Sequence, residues 1–169
     1  DPTRPSPPGG TTLHVLPQLP PIALSLAGFP TPQGVRAAID SLPALAVRSL
    51  VLDATHPDTR ARALDASARR DLASLLRRAN LAFAGLDLWI PPEHFADPSK
   101  VDRAIDAASA ACLLAGDLAR HAGGRALVSL VLPPKPLEGA ANAVALAAER
   151  AGAQLADHAW PASAPPHAP

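Results

Sequence analysis

Acids and histidines occur together at three places in the chain: Asp53 with His56, Asp87 with Glu93 and His94, and Asp157 with His158. A carboxylate beside an imidazole can share a divalent metal such as Zn, Mn or Mg. The pair can also divide the work of general acid and base, provided loops bring the groups within a few ångström. The middle place is the most unusual stretch of the sequence. In Leu86-Asp87-Leu88-Trp89-Ile90-Pro91-Pro92-Glu93-His94-Phe95, an apolar run reaches a tryptophan, two prolines stiffen the backbone, and an acid and an imidazole follow. Residues 156–160, Ala-Asp-His-Ala-Trp, repeat the order acid, histidine, tryptophan. A purely structural account competes with the chemical one. In it Trp89 and Phe95 cover an end of the sheet, Glu93 and His94 point to water, and Asp53 organises its own loop.

These residues share a position. Five short apolar runs, Ile22 to Gly28, Ser49 to Asp53, Ala82 to Ile90, Ala126 to Leu132 and Gln154 to Asp157, alternate with helical patterns. That alternation predicts an α/β fold, a parallel sheet of about five strands covered by helices. Such sheets place their chemistry outside the carboxyl ends of the strands. The positions selected are Phe29, Asp53, His56, Asp87, Trp89, Glu93, His94, residues 133–135, Asp157, His158 and Trp160.

Helix signals fill the intervals. Thr31-Pro32 predicts a capping hydroxyl and an N1 proline before the stripe Val35, Ala38, Ile39 and Leu42. Asp65 or Ser67 is expected to cap a second helix whose stripe is Ala68, Leu72, Leu75, Leu76 and Ala79, with Arg69, Arg70, Arg77 and Arg78 mainly on its solvated side. Asp97-Pro98 opens a long third helix to about His121, stopped by Gly123-Gly124 and carrying Val101, Ile105, Ala108, Cys112, Ala115 and Ala119 inward. A fourth helix, about Leu137 to Arg150, ends at Gly152, expected to be a left-handed cap.

Composition narrows the function classes. At 169 residues with 48% hydrophobic content the chain can bury one substantial core. Residues 1–21 and 161–169, rich in proline, are expected to be tails or linkers around a body at 22–160. Fifteen basic and fifteen acidic residues cancel, so no positive field is available for nucleic acid or an anionic membrane. No apolar run reaches the roughly 18–20 residues of a bilayer span. The first residues show no secretory signal, so a cytoplasmic location is expected, although a start at Asp1 is what a trimmed or partial reading frame would show. The single cysteine, Cys112, predicts a small buried hydrophobe rather than a nucleophile, disulfide or zinc ligand. P-loop, GxGxxG, GxSxG and HExxH motifs are all absent.

Four phrases carry a family resemblance: Val51-Leu52-Asp53-Ala54, Ser67-Ala68-Arg69-Arg70-Asp71-Leu72, Gly85 to Phe95, and Leu155 to Trp160. In them the body resembles the sugar phosphate isomerase/epimerase-like branch of the xylose isomerase-like TIM barrels. The resemblance implies a barrel of parallel strands, a divalent metal over its C-terminal face, and proton transfer beside a sugar carbonyl. It marks Glu93, His94, Asp157 and His158 as catalytic, with Asp157 and His158 as metal ligands. Asp53, His56, Asp87, Trp89 and Trp160 become substrate-side groups for a sugar or sugar phosphate. A complete barrel takes about 250 residues, whereas five strand and four helix candidates make the first half. The family draws its metal ligands mostly from strands five to eight, so only the first of that set could be matched here. Two further accounts stand beside an incomplete enzyme: a non-catalytic half-barrel that binds a small ligand or self-associates through open strand edges, and an ordinary doubly wound binding module. Strand order discriminates, because a barrel relative keeps sequential order and a doubly wound sheet reverses.

Overall fold

The structure, a computed structural model, describes residues 22–157. Its strands β1 (Leu24–Ser25), β2 (Ser49–Asp53), β3 (Ala82–Asp87), β4 (Leu127–Leu130) and β5 (Gln154–Asp157) run parallel in one sheet, in the order β1-β2-β3-β4-β5. Between them lie α1 (Gly34–Ser41), α2 (Ala66–Arg78), α3 (Val101–Ala122) and α4 (Ala140–Ala151). The order never reverses, which removes the doubly wound alternative. The fold is α/β, as the alternation predicts, with strands and helices laid out like the first half of a TIM barrel.

Sequential parallel strands joined by right-handed crossovers put every helix on the same side. Accordingly α1 packs on α2, α2 on α3 and α3 on α4. Ile39, Leu72, Leu76, Cys112, Leu118 and Val144 from these helices meet Leu50, Leu52, Leu86 and Val128 of the sheet in one hydrophobic core. Alternation along β2 buries Leu50 and Leu52 and turns Ser49, Val51 and Asp53 to the other face. Among the described residues no helix covers that second face, and a broad depression of about 1120 Å³ lies on it, with Val51, Ala84 and Leu127 in its wall. No described helix is long and apolar enough to cross a membrane.

The register between β2 and β3 controls what the open face presents. Leu50 pairs with Phe83, but Val51 pairs with Gly85, so Ala84 is an extra residue on β3. Because of this bulge Phe83 and Leu86, three positions apart, are both buried. Strict alternation from Phe83 would have sent Asp87 into the core; the bulge returns it to the open face beside Asp53. Gly85 makes the bulge possible, with φ of +151° and a would-be Cβ only 2.9 Å from the Leu127 carbonyl oxygen.

Several boundaries differ from the sequence expectation, each for a local reason. β2 and β5 span the expected residues, whereas β1 is reduced to two residues because the chain turns at Leu26, whose carbonyl accepts from Phe29 N at 3.0 Å. β3 ends at Asp87, before Trp89 and the prolines. α1 begins at Gly34 and takes no cap from Thr31, whose hydroxyl bonds elsewhere. Asp65 does cap α2, accepting from Ala68 N at 2.8 Å. α3 starts at Val101 because Asp97 closes a turn of its own, accepting from Ser99 N at 2.8 Å and Ser99 Oγ at 2.7 Å. α4 starts at Ala140, after Gly139 in a left-handed conformation, and ends at Gly152 with φ of +65°, as expected.

Candidate functional site

Ser25, Asp53, Asp87 and Ser129 stand at or near the C-terminal ends of β1 to β4, on the face opposite the buried Leu26, Leu52, Leu86 and Val128. Asp53 and Asp87 are direct partners on neighbouring strands, and Asp87 is in turn opposite Ser129. Ser25 Oγ donates to Asp87 Oδ2 across the front of β2. Contact between first and third strands is the geometry of a curved parallel sheet, in which inward side chains of alternate strands share a layer.

Asp53 is held differently. Its Oδ1 accepts from Thr55 N at 2.8 Å and from Thr55 Oγ1 at 2.6 Å, closing an Asx turn directly after the strand. Its carbonyl accepts from Thr59 Oγ1; Thr59 is the one buried polar side chain among the described residues. Ala54 N donates to the Asp87 carbonyl at 2.8 Å, tying this turn to β3. Asp53 therefore does organise its loop, and the same bonds fix its carboxylate beside Asp87, with Oδ2 not engaged by the turn.

His56 joins two loops. Its Nδ1 accepts from Asp58 N at 3.1 Å, which leaves Nε2 to carry the proton and donate to Thr31 Oγ1 at 3.2 Å. Asp58 Oδ2 accepts from Val35 N at 3.0 Å, so a carboxylate from the loop after β2 caps α1. The expected Thr31 cap is replaced by this longer-range one, and Thr31 positions the imidazole instead.

Of the remaining candidates, those among the described residues do not join this cluster. Glu93 is exposed and His94 half-buried on a 3₁₀ turn, Pro92–Phe95, and no hydrogen bond or ion pair links either to Asp53 or Asp87. Phe95 is fully buried and its carbonyl accepts from Leu137 N at 2.8 Å, whereas Trp89 is 56% exposed, so only Phe95 covers the core. Asp157 is opposite Leu130 on β5, and alternation puts it on the face of Val128 and Leu130 rather than that of Asp53 and Asp87. Phe29 is partly exposed past the β1 turn, Pro133 is half-buried, and Pro134 and Lys135 are exposed. His158 and Trp160 lie outside the described residues.

Among the described residues no three of His, Cys, Asp and Glu come close enough to hold a metal ion. Cys112 is fully enclosed, and burial pushes its thiol up to about 11, in keeping with a packing role. The arginine-rich face of α2 is only partly solvated. Arg69 is half-buried and donates to Asp117 Oδ2 at 2.8 Å, to the Leu64 carbonyl at 3.1 Å and to the Ala61 carbonyl at 3.3 Å. It clamps α2 onto α3. Burial opposes ionisation of Asp117, but Arg69 and Arg120 hold its carboxyl below the ordinary value.

Sequence reasoning missed Ser25, Thr31, Thr55 and Asp58 as site-building groups. A usable signal existed for Thr55, since Asp-x-Thr after a strand favours an Asx turn, and for Ser25, a polar residue within an apolar run. No family model and no curated protein matches the chain.

Proposed function

We propose that the chain binds a small polyhydroxylated molecule, a sugar or sugar phosphate, over the open sheet face and moves a proton beside its carbonyl. The observation that carries this reading is the Asp53–Asp87 pair, two carboxylates in register on adjacent strands. Asp53, oriented by Thr55, accepts hydrogen bonds from substrate hydroxyls through its remaining oxygen. Asp87, oriented by Ser25, is the base: it takes the proton from the hydroxyl-bearing carbon beside the carbonyl to leave an enediolate, and returns it to the former carbonyl carbon while the hydroxyl proton passes to the former carbonyl oxygen, so that carbonyl and hydroxyl exchange places. Val51 and Leu127 supply apolar wall below the carboxylates. This assignment follows the resemblance to the isomerase/epimerase-like barrels but moves the chemistry from Glu93, His94, Asp157 and His158 to the second and third strands.

A divalent ion would assist by polarising the carbonyl oxygen, and carboxylate donors suit Mg or Mn. Asp53 and Asp87 offer two such donors, and the described residues supply no third.

The test is solvent exchange. Incubated in D₂O with a panel of aldose and ketose phosphates, with and without Mn²⁺, the protein is expected to wash deuterium into the carbon beside the carbonyl of one of them, followed by NMR. Asp87→Asn is expected to lower that rate by at least about 100-fold with the fold retained by circular dichroism. A folded wild-type chain that exchanges nothing, or an Asp87→Asn variant as active as wild type, overturns the reading.

One observation favours a second reading, a half-barrel that pairs with another copy. The sheet is open, with β1 and β5 at its two edges and one face uncovered among the described residues.

A further inference from the structure

A second concavity lies on the helix side of the strand ends, away from the open sheet face. It has a volume of about 420 Å³ and is walled by Arg62, Trp89, Pro91, His94, Lys100 and Arg103, with Ala104 and Ala107 of α3 forming its floor. The loop after β2 supplies Arg62, the loop after β3 supplies Trp89 to His94, and the start of α3 supplies the rest. A smaller cavity of about 170 Å³ adjoins it, sharing Arg62, Ile90 and Ala107 and adding Arg60 and Thr55.

We infer that this concavity is a binding site for a small phosphorylated molecule with a flat or apolar portion. Three side chains in its wall are permanent cations, and no carboxylate lines it. Lys100 is partly neutralised by Asp97, 3.1 Å away. Arg62 and Arg103 form no ion pair or side-chain hydrogen bond with any described residue. Asp102 and Asp106, the nearest acids in sequence to Arg103, are exposed on α3 and lie outside the cavity wall. In a chain of zero formal net charge, cations gathered around one hollow from the loop after β2 and the start of α3 focus a local positive potential that the molecule as a whole does not have. Guanidinium groups match phosphate oxygens in pairs. Trp89 is 56% exposed beside them, offering a ring on which a base, a sugar face or an apolar group stacks. The size also fits: small-molecule sites occupy roughly 300–1,000 Å³.

The site is independent of the Asp53–Asp87 reading, and the experiment keeps the two apart. Inorganic pyrophosphate and phenyl phosphate are titrated into the full chain by calorimetry, and the phenyl phosphate titration is repeated by tryptophan fluorescence in a Trp160→Phe background, so that Trp89 alone reports. Saturable binding of both is expected, tighter for phenyl phosphate, whose ring stacks on Trp89. The double substitution Arg62→Ala with Arg103→Ala is expected to weaken binding at least 10-fold. Arg36→Ala with Arg70→Ala, which removes two exposed arginines elsewhere, is expected to leave it unchanged, as is Asp87→Asn. Should the Arg62/Arg103 variant fail to fold, Lys100→Gln and Trp89→Ala, each alone, take its place. No saturable binding by wild type, equal loss in both arginine pairs, or tighter capture of a short oligonucleotide than of phenyl phosphate would overturn the inference.

Discussion

Asp97 shows how a single half-buried surface residue can carry a measurable electrostatic signature. The Ser99 hydroxyl and amide hydrogen bonds, with Lys100 beside them, lower its carboxyl to about 2. A carboxyl more acidic in the folded than in the unfolded chain contributes stability above its unfolded value, near 4. That contribution is lost as pH falls through the folded value of about 2. Ser99→Ala is therefore expected to bring the Asp97 midpoint up toward the ordinary carboxylate range, as read by carboxyl ¹³C NMR. A midpoint that stays where it is would show that Ser99 is not the cause. The same turn holds Lys100 at the rim of the cationic hollow, so the local chemistry of Asp97 also sets a wall of the second site.

At the scale of elements, close approach is limited by where side chains are absent. α3 carries Gly116 against α4, and a Cβ there would stand 2.4 Å from the Ala151 carbonyl oxygen. Backbone cannot give way as a flexible side chain does, so Gly116→Ala has to push the two helices apart. Overpacking of this kind costs about 1–3 kcal/mol, which for a domain of this size lowers Tm by roughly 2–12 °C. Leu113→Ala on the same helix, at a position 52% exposed, is expected to leave Tm nearly unchanged. Equal melting shifts in the two variants would contradict the packing account. The helix stripes themselves were legible: Leu72, Leu75, Leu76, Ala108, Cys112 and Ala115 are all buried as their spacing predicts, because helical periodicity is a local property of the chain. Arg69 was not, since its partner Asp117 lies on another helix.

At the scale of the whole molecule, the open sheet has a consequence for assembly. A barrel hides its strand edges by closing, and a five-stranded parallel sheet does not close. If two copies meet through these edges, sedimentation velocity of the full chain across a hundredfold range of concentration is expected to show a monomer–dimer equilibrium. A single monomeric species throughout would remove the self-association reading and leave the open face, where sugar binding is proposed, accessible in each chain.

Alternation of apolar runs and helix patterns was enough to determine a parallel α/β sheet, the spans of β2 and β5, and the placing of Asp53 and Asp87 at strand ends, because each depends on neighbours a few residues away. Which of the polar residues share a site was decided only in three dimensions. Residue spacing alone does not reveal that Ala84 is an inserted residue, yet that bulge turns Asp87 to the face of Asp53. Spacing likewise paired Asp87 with Glu93 and His94, although Ser25, on a distant strand, is its hydrogen-bond partner. The cationic hollow draws on the loops after β2 and β3 and the start of α3. Register, curvature and loop convergence are sums over long-range contacts, and those contacts exist only once the core between sheet and helices has formed.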